Sequence, residues 1–526
     1  MKVLITDGVD PQCGQILRQN GFEVTEKPKI TREKLKEIIG EYDKLIVRSA
    51  TKVTADIIES AKKLKLVGRA GAGVDNIDIE SATRNGIIVM NTPGGNTVSA
   101  AEHACGMMLA AARLIPQASA DVRQGNWNKK KFTGVELDGK TLAILGLGKI
   151  GREVAVRMQA FGMKTVAYDP MIPKEYADHL DIELLPLDEN FRLADVISIH
   201  SSLNESTRNL IAKETFSLMK DGVIIVNCAR GGIINERDLA AAVESGKVGA
   251  AALDVFEQEP VDPSNPLLAL DRVIVTPHIA ASTNEAQIKV AIQIAKQIVE
   301  WKQEGKLEGA VNASAVELAQ DPSVKSYLTL AEKLGATIAQ LSPQASGKIS
   351  VRTSGEFLYR FNEVITAAAL KGFLDIRHTG DANYINAFTM VREMGIEIEQ
   401  KFEKENPDYT NLIRVELSNG STRRMIGGTV FGDREIRIVM IDGFLVEFKP
   451  EGKIIIYSNI DKPGVIAGVT HLMLQHNLNV AHIALSRDEQ KKLAMTAIVL
   501  DGDVDSTVLT EVKTVDGVSD ASLVSL

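Results

Sequence analysis

One glycine pattern constrains the fold of this chain most strongly. The segment GLGKIG, which contains Gly146, Gly148 and Gly151, follows the apolar run TLAIL and opens the amphipathic stretch KIGREVAVRMQAFG. A strand, a glycine-rich turn and a helix in this order predict the start of a doubly wound domain that binds a dinucleotide. Gly146 would permit the tight turn, Gly148 the close approach of a pyrophosphate, and Gly151 close packing of helix and strand.

The residues around this turn predict which dinucleotide binds. The backbone N–H groups of Lys149 and Ile150 stand at a predicted helix N-terminus, where a pyrophosphate is favoured. The next apolar run, KTVAYD, ends in Asp169, whose carboxylate would accept hydrogen bonds from the adenosine ribose hydroxyls. The same charge would repel a 2′-phosphate, so we expect NAD rather than NADP.

Apolar runs alternate with helical patterns through the first part of the chain. Before residue 96 we predict four strands: VLITDG, KLIVRSA, LKLVGRAG and IIVMNTP. The stretch SAAEHACGMMLAAARLI predicts a long helix capped by Asn96 or Thr97. From Thr141 onward, six runs separated by helices predict six more strands: TLAILGL, KTVAYD, VISIHS, GVIIVNC, AAALDV and RVIVTP. Continuous apolar strands between helices indicate parallel sheets covered on both faces, and so an α/β protein.

Size, charge and cysteine content argue against several classes of protein. With 526 residues the chain is too long for one core, and its net charge of −9 disfavours nucleic-acid binding. The three cysteines, Cys13, Cys105 and Cys228, form no C-x-x-C pair, so we expect neither a disulfide framework nor a metal site. We expect no membrane span and no targeting segment, and hence a cytoplasmic protein.

Three further motifs each follow the end of a predicted strand. They are NCARGGIINE around Arg230, DVFEQEP with Glu259, and TPHIAAST around His278. Ligands of open α/β sheets bind at this edge. Taken singly, each residue also fits an ordinary structural role, as a surface ion pair, a solvated acid or a loop histidine.

Together with GLGKIG and HSSLNESTRNLI, these motifs closely resemble the D-2-hydroxyacid dehydrogenases over residues 1 to about 305. The resemblance implies that Arg230 binds the substrate carboxylate, His278 is the general acid–base, and Glu259 orients its imidazole. It also implies a set of residues that line the cofactor site: Ser201, Cys228, Ala229, Arg230, Asp254, His278, Ala280 and Ala281. Cys228 is interpreted as part of the wall rather than as a nucleophile.

The first domain indicates the substrate. The stretches VRSATKVT, GRAGAGVDN and NTPGGNTVSAAEHA resemble those of phosphoglycerate dehydrogenases, which implies 3-phosphoglycerate as substrate. The resemblance places a set of residues at the substrate: Arg48, Ala72, Gly73, Asn96, Lys129 and Lys130. The lysines belong to a basic run, 129–131, that follows Trp127 and would reach the phosphate, in this subunit's site or a neighbour's. A solvated basic loop is the equal alternative.

The residues after 307 are not needed for hydride transfer. GGTVFG and RIVMIDG resemble the intervening domain of long phosphoglycerate dehydrogenases, and the pattern from Lys453 resembles a βαββαβ ACT regulatory domain. By this resemblance Asn459, Asp461 and Asn479 bind an effector, expected to be L-serine, although the family often has His at the position of Asn459. A homotetramer is expected, with a dimer as second choice.

These patterns predict four domains. A flavodoxin-like substrate domain (1–95 with 283–306) contains an inserted Rossmann-like NAD-binding domain (96–282), followed by an α+β intervening domain (307–450) and an ACT domain (451–526). Two alternatives stay open: a reductase of glyoxylate, hydroxypyruvate or 2-oxoglutarate, and a non-catalytic NAD-sensing scaffold. The long extension and Asp169 argue against the first, and the ACT-like segment against the second.

Overall fold

The computed structural model describes residues 1–343, 346–377, 380–420, 422–432 and 434–526. The chain divides into two compact units, one of Met1–Asn91 with Ile294–Leu526 and one of Thr92–Gln293. None of the helices in the described ranges has the length and apolar character needed to span a bilayer.

The first unit begins with a five-stranded parallel sheet in the order β2-β1-β3-β4-β5. Its strands are β1 (Lys2–Thr6), β2 (Glu23–Lys27), β3 (Lys44–Val47), β4 (Leu66–Arg69) and β5 (Ile88–Met90). Four helices connect them: α1 (Pro11–Gln19), α2 (Arg32–Ile38), α3 (Ala55–Ser60) and α4 (Ile79–Arg84). This strand order is flavodoxin-like, as predicted. The sequence prediction missed β2, because EVTEK is a polar edge strand with no buried residue.

The second unit contains a seven-stranded parallel sheet in the order β12-β11-β10-β9-β6-β7-β8. Its strands are β6 (Thr141–Leu145), β7 (Lys164–Tyr168), β8 (Glu183–Leu184), β9 (Val196–Ile199), β10 (Val223–Asn227), β11 (Val248–Leu253) and β12 (Val273–Val275). Its helices are α5 (Thr97–Arg113), α6 (Ile115–Arg123), α7 (Lys149–Gln159), α8 (Lys174–Asp178), α9 (Leu187–Leu193), α10 (Lys213–Phe216) and α11 (Glu236–Glu244). The strand order reverses between β6 and β9, as in the predicted Rossmann-like fold.

Two details of this unit differ from the sequence prediction. Strand β8 was not predicted, because two residues at a sheet edge leave no periodic signal. The helix predicted to continue through Ile115 ends instead at Arg113, and its C-cap residue Leu114 has a left-handed backbone (φ 53°). Pro116 lies in the first turn of α6, where its missing N–H costs nothing; inside a longer helix it would break a hydrogen bond.

Helix α12 (Asn284–Glu304) contains the boundary between the two units, and an α+β segment follows it. Its helices are α13 (Ser314–Leu318), α14 (Lys325–Leu341), α15 (Glu356–Tyr359), α16 (Asn362–Arg377) and α17 (Ala387–Glu393). Its strands are β13 (Lys348–Ser354), β14 (Glu397–Glu403), β15 (Leu412–Ser418), β16 (Arg423–Phe431), β17 (Glu435–Ile441) and β18 (Phe444–Phe448). The sheet order is β14-β13-β15-β16-β17-β18; only the β13–β14 pair is parallel.

The C-terminal segment has the predicted βαββαβ order. It consists of β19 (Lys453–Ile460), α18 (Val465–Gln475), β20 (Asn479–Asp488), β21 (Leu493–Asp501), α19 (Ser506–Thr514) and β22 (Val518–Ser525). The four strands form an antiparallel sheet in the order β20-β21-β19-β22.

The α+β segment and the C-terminal sheet share one hydrophobic core. Buried side chains of α14 and α16, such as Leu334 and Phe373, belong to the same cluster as Ile456 of β19. Gln340 of α14 also pairs with the backbone of Ser525 on β22, accepting from its N–H (2.9 Å) and donating to its carbonyl oxygen (3.1 Å). Removal of residues 453–526 would therefore uncover apolar surface of α14.

Glycines set the spacing of α14 and α16. A Cβ on Gly335 would lie 1.9 Å from the carbonyl oxygen of Ala369, and one on Gly372 would lie 2.0 Å from that of Glu332. The two backbones approach each other directly, so neither position accommodates a methyl group.

We predict that Gly335→Ala lowers the thermal unfolding midpoint by several degrees, because overpacking costs about 1–3 kcal/mol. Gly106→Ala is the matched control. It also lies in a helix, but nothing is within 4 Å of its Cβ position, so the midpoint should stay constant or rise. Calorimetry of both variants measures the difference; equal midpoints would contradict the close contact.

Candidate active site

The glycine turn joins β6 to α7 and leaves open space on one side. Gly146 has a φ of 100°, and a Cβ there would lie 2.8 Å from the backbone of His200. A Cβ on Gly151 would lie 2.2 Å from the carbonyl oxygen of Gly146. A Cβ on Gly148, by contrast, would meet nothing within 4 Å, although this residue caps the N-terminus of α7. The turn is therefore closed toward the sheet and open where a pyrophosphate would bind.

Asp169 is anchored beside this turn. Its carboxylate accepts hydrogen bonds from the backbone N–H of Leu147 (2.8 Å) and of Met171 (2.9 Å). Each carboxylate oxygen has a further lone pair available for a ribose hydroxyl. Lys149 Nζ donates to the carbonyl oxygen of Pro93 (3.4 Å), so the lysine side chain reaches the first residues of the second unit.

The wall of the site contains an unsatisfied hydroxyl and a protonated thiol. Ser201 Oγ is buried and has no hydrogen-bond partner among the described residues, as expected of a group that meets a bound ligand. Burial raises the pKa of the Cys228 thiol far above its ordinary range, which agrees with a wall residue rather than a nucleophile. His200 directly follows β9, where the strand order reverses. Burial lowers the pKa of its imidazole to about 4, so the ring is neutral near pH 7.

Asn227, which the sequence analysis did not single out, shapes the loop after β10. Its side chain accepts from the N–H of Ala229 (3.0 Å) and donates to the carbonyl oxygen of Arg230 (2.9 Å). A Cβ on Gly231 would lie 1.8 Å from the carbonyl oxygen of Phe256, so this loop contacts the next one directly. An asparagine at a strand end, where it can form an Asx turn, is the signal that could have identified it.

His278 and Glu259 form a close pair. His278 Nδ1 lies 2.7 Å from Glu259 Oε2, and the other carboxylate oxygen accepts from the N–H of Phe256 (3.1 Å). The hydrogen bond to Glu259 raises the pKa of His278, against the effect of burial. Burial alone would raise the pKa of Glu259, but the bonds from His278 and Phe256 lower it. The side chains are 46% and 38% exposed, so the pair is accessible to a substrate.

Asp254 holds the loop that carries His278. Its carboxylate is fully buried and accepts from Thr276 Oγ1 (2.6 Å) and from the N–H groups of Ile279 (2.9 Å) and Ala280 (2.8 Å). Its carbonyl oxygen accepts from the N–H of His278 (2.8 Å), a residue with a left-handed φ of 52°. Burial alone would raise the pKa of Asp254, but the hydrogen bonds, first that from His103, lower it.

The expected substrate residues of the first unit lie at the ends of adjacent strands. Arg48 follows β3, and Ala72 and Gly73 lie in the loop after β4. The backbone of Arg48 is held on both sides, since its N–H donates to Asp7 (2.9 Å) and its carbonyl oxygen accepts from Asn76 (2.7 Å). The five-stranded sheet therefore brings these three residues to one edge.

The remaining expected substrate residues lie in the second unit. Asn96 occupies the N-cap position of α5 without a side-chain capping bond. Lys129 and Lys130 lie in an exposed 3₁₀ helix, Lys129–Phe132. Lys129 Nζ is 6.0 Å from the ring centre of Trp127, which is itself exposed.

The expected effector residues have partners within the C-terminal sheet. Asp461 accepts from the guanidinium of Arg487 (2.7 Å), and Asn479 donates to Asp501 (2.6 Å). Asn459 is only 3% exposed; its Nδ2 donates to Ile460, while its Oδ1 has no partner among the described residues.

Comparison with known proteins identifies the family. Residues 105–280 match the NAD-binding domain of D-isomer specific 2-hydroxyacid dehydrogenases, residues 323–442 the D-3-phosphoglycerate dehydrogenase intervening domain, and residues 453–517 the ACT domain. The D-3-phosphoglycerate dehydrogenase of Archaeoglobus fulgidus is 43% identical over the full length of both chains. This chain belongs to the D-3-phosphoglycerate dehydrogenase family. Its NAD cofactor, its class as an NAD-dependent oxidoreductase and its ACT domain are thereby confirmed.

Further relatives cover parts of the chain. The D-3-phosphoglycerate dehydrogenase of Sus scrofa is 47% identical over 77% of this chain and 76% of its own. Among solved structures, a glyoxylate reductase from Paecilomyes thermophila covers 59% of this chain and 98% of its own, at 33% identity and a TM-score of 0.54. The dehydrogenase fold is thus shared with shorter enzymes.

We predict that Glu259→Gln moves the pH dependence of the reaction to lower pH. Glu259 raises the pKa of His278, so its replacement lowers that pKa. With His278 in the role of general base that the resemblance implies, alcohol oxidation requires its neutral imidazole. The acid limb of the pH profile for oxidation should therefore move to lower pH. Carbonyl reduction requires the imidazolium, so the alkaline limb of the pH profile for reduction should also move to lower pH. Profiles of kcat/KM in both directions test this; limbs that stay in place would contradict the pairing.

Proposed function

We propose that this chain oxidises 3-phospho-D-glycerate to 3-phosphohydroxypyruvate with NAD, as the first step of L-serine biosynthesis. The observation that carries the proposal is the 2.7 Å contact between His278 Nδ1 and Glu259 Oε2, close to the carboxyl ends of the strands. The contact occupies Nδ1 and assigns the substrate proton to Nε2. Full-length relatives with the name D-3-phosphoglycerate dehydrogenase support the choice of substrate.

The roles follow from the chemistry of each group. His278 would take the hydroxyl proton on Nε2 as C2 loses its hydride, and Glu259 would stabilise the resulting imidazolium. Arg230 would bind the substrate carboxylate through two parallel N–H donors, which Lys could not supply. NAD, when bound, supplies the hydride acceptor. In the reverse direction the protonated His278 would return its proton to the carbonyl oxygen.

The glycine turn and the strand ends would hold the cofactor. Gly148 has the open space for a pyrophosphate, Asp169 the lone pairs for a ribose, and Ser201 an unsatisfied hydroxyl. The other residues that we assign to the cofactor are Gly146, Lys149, Ile150, Gly151, Cys228, Ala229, Arg230, Asp254, His278, Ala280 and Ala281.

The substrate phosphate needs cationic partners beyond Arg230. We assign Arg48, Lys129 and Lys130 to this role, and we assign Ala72, Gly73 and Asn96 to the rest of the substrate site. We also propose the domain boundaries that the sequence predicts, namely 1–95 with 283–306, 96–282, 307–450 and 451–526. We further propose a cytoplasmic homotetramer.

We expect His278→Ala to lower kcat for 3-phosphoglycerate by about 100- to 10,000-fold, the range of general acid–base catalysis, and to retain affinity for NADH. His179→Ala, an exposed histidine of the same unit, is the control and should leave both unchanged. Wild-type turnover by His278→Ala would remove the residue from this role.

A higher kcat/KM of the wild type for glyoxylate or 2-oxoglutarate than for the 3-phosphoglycerate couple would favour another hydroxyacid dehydrogenase.

We also propose feedback by L-serine through the ACT domain. Asp461 would accept from the amino acid's ammonium group, and Asn459 and Asn479 would bind its carboxylate and hydroxyl. Serine binding at Asp461 would have to compete with Arg487, the present partner of that carboxylate. The coupling requires serine to favour one arrangement of the oligomer, and about 1–3 kcal/mol would give a 5- to 150-fold effect.

Asn479→Ala should weaken inhibition by serine at least fivefold without changing the affinity for NAD. Thr510→Ala, an exposed change on α19, should leave inhibition intact. Point variants are preferable to truncation, because residues 453–526 share a core with α14. Absence of serine binding by calorimetry and of inhibition at millimolar serine would exclude this effector, without affecting the catalytic assignment.

A further inference from the structure

His103 is a titratable residue beside the site to which the sequence analysis assigns no role. It lies on α5, and its side chain is 20% exposed. Its Nε2 lies 3.4 Å from Asp254 Oδ1 and 3.3 Å from Thr276 Oγ1. It is thus the only residue of α5 whose side chain we find in contact with the Asp254 carboxylate among the described hydrogen bonds and ion pairs.

The neighbours of His103 determine which way the proton points. Thr276 Oγ1 lies 2.6 Å from Asp254 Oδ1, and an ionised carboxylate can only accept, so the threonine hydroxyl must be the donor there. That hydroxyl hydrogen is then not available to His103. Nε2 must therefore carry a hydrogen and donate it to the threonine oxygen and the carboxylate.

The carboxylate that receives this hydrogen connects α5 to the catalytic loop. Asp254 also accepts from the N–H groups of Ile279 and Ala280, the two residues directly after His278. A shift of Asp254 would consequently displace the backbone that orients the His278 imidazole. A misplacement of about 1 Å can cost on the order of 100-fold in rate.

We propose that His103 is a positioning residue for the reaction. Its Nε2–H holds the Asp254 carboxylate against the backbone of Ile279 and Ala280 and so fixes the loop that presents His278. The kinetic part of this inference rests on the proposed function, whereas its structural part does not.

Two substitutions of His103 separate the hydrogen bond from the bulk of the side chain. His103→Leu removes the donor, and His103→Gln retains an N–H donor at the end of a side chain of similar reach. Glu102→Gln changes the exposed neighbour on α5 and is the control. His103→Met is a second apolar variant, used if the leucine variant does not fold.

Two measurements on the full chain test the proposal. Hydrogen–deuterium exchange of peptides that cover residues 276–281 reports the loop without substrate or cofactor. Steady-state kinetics with NAD and 3-phosphoglycerate report its effect on turnover. In the apolar variants we expect faster exchange of these peptides and a kcat lowered about tenfold or more, with a KM within about threefold. In His103→Gln and in Glu102→Gln, the exchange of these peptides and kcat should stay near the wild-type values.

Each other outcome overturns a defined part of the account. Unchanged exchange and kcat in the apolar variants would remove His103 from any positioning role. Equal defects in His103→Leu and His103→Gln would show that the shape of the ring, rather than its donor, matters, and would contradict the proposal. If the wild type does not turn over 3-phosphoglycerate but the apolar variants still exchange faster, the proposed function fails while the positioning of the loop stands.

Discussion

The buried carboxylate of Asp254 is the interaction on which the site depends. A charge that is fully removed from water costs several kcal/mol unless donors surround it. Here Thr276 and the N–H groups of Ile279 and Ala280 supply them, and all three follow β12. The need to satisfy this charge ties the end of β11 to the loop after β12, and that loop carries His278.

The parallel sheet brings the other groups to the same edge. Its strands all end on one side, so the glycine turn after β6, the Arg230 loop after β10 and the His278 loop after β12 share that side. The loops also contact each other, since Gly231 leaves no space between its backbone and the carbonyl oxygen of Phe256. The position of the loop that carries Glu259 is therefore constrained by backbone packing as well as by the hydrogen bond to His278.

Strong local patterns made much of this predictable. GLGKIG specified a strand, a turn and a helix, because only glycine allows these close approaches, and continuous apolar runs specified the buried strands. The edge strand β2 could not be predicted, because half-exposed strands carry no apolar run. The motifs pointed to His278 and Glu259 through a resemblance, but their 2.7 Å contact depends on three-dimensional packing. Asn227 carried a local signal that was not used, since its partners Ala229 and Arg230 are near in sequence. His103 carried none, because its partners Asp254 and Thr276 are distant along the chain. The same holds for the core that α14 shares with the C-terminal sheet.

The most direct test of the central claim follows the hydride itself. The enzyme is incubated with NAD and 3-phospho-D-glycerate that carries deuterium at C2, and the NADH formed is analysed by mass spectrometry. The account predicts that one deuterium appears in each NADH and none in the solvent, since His278 removes only the hydroxyl proton. Unlabelled NADH, or deuterium released to water, would contradict direct hydride transfer at this site.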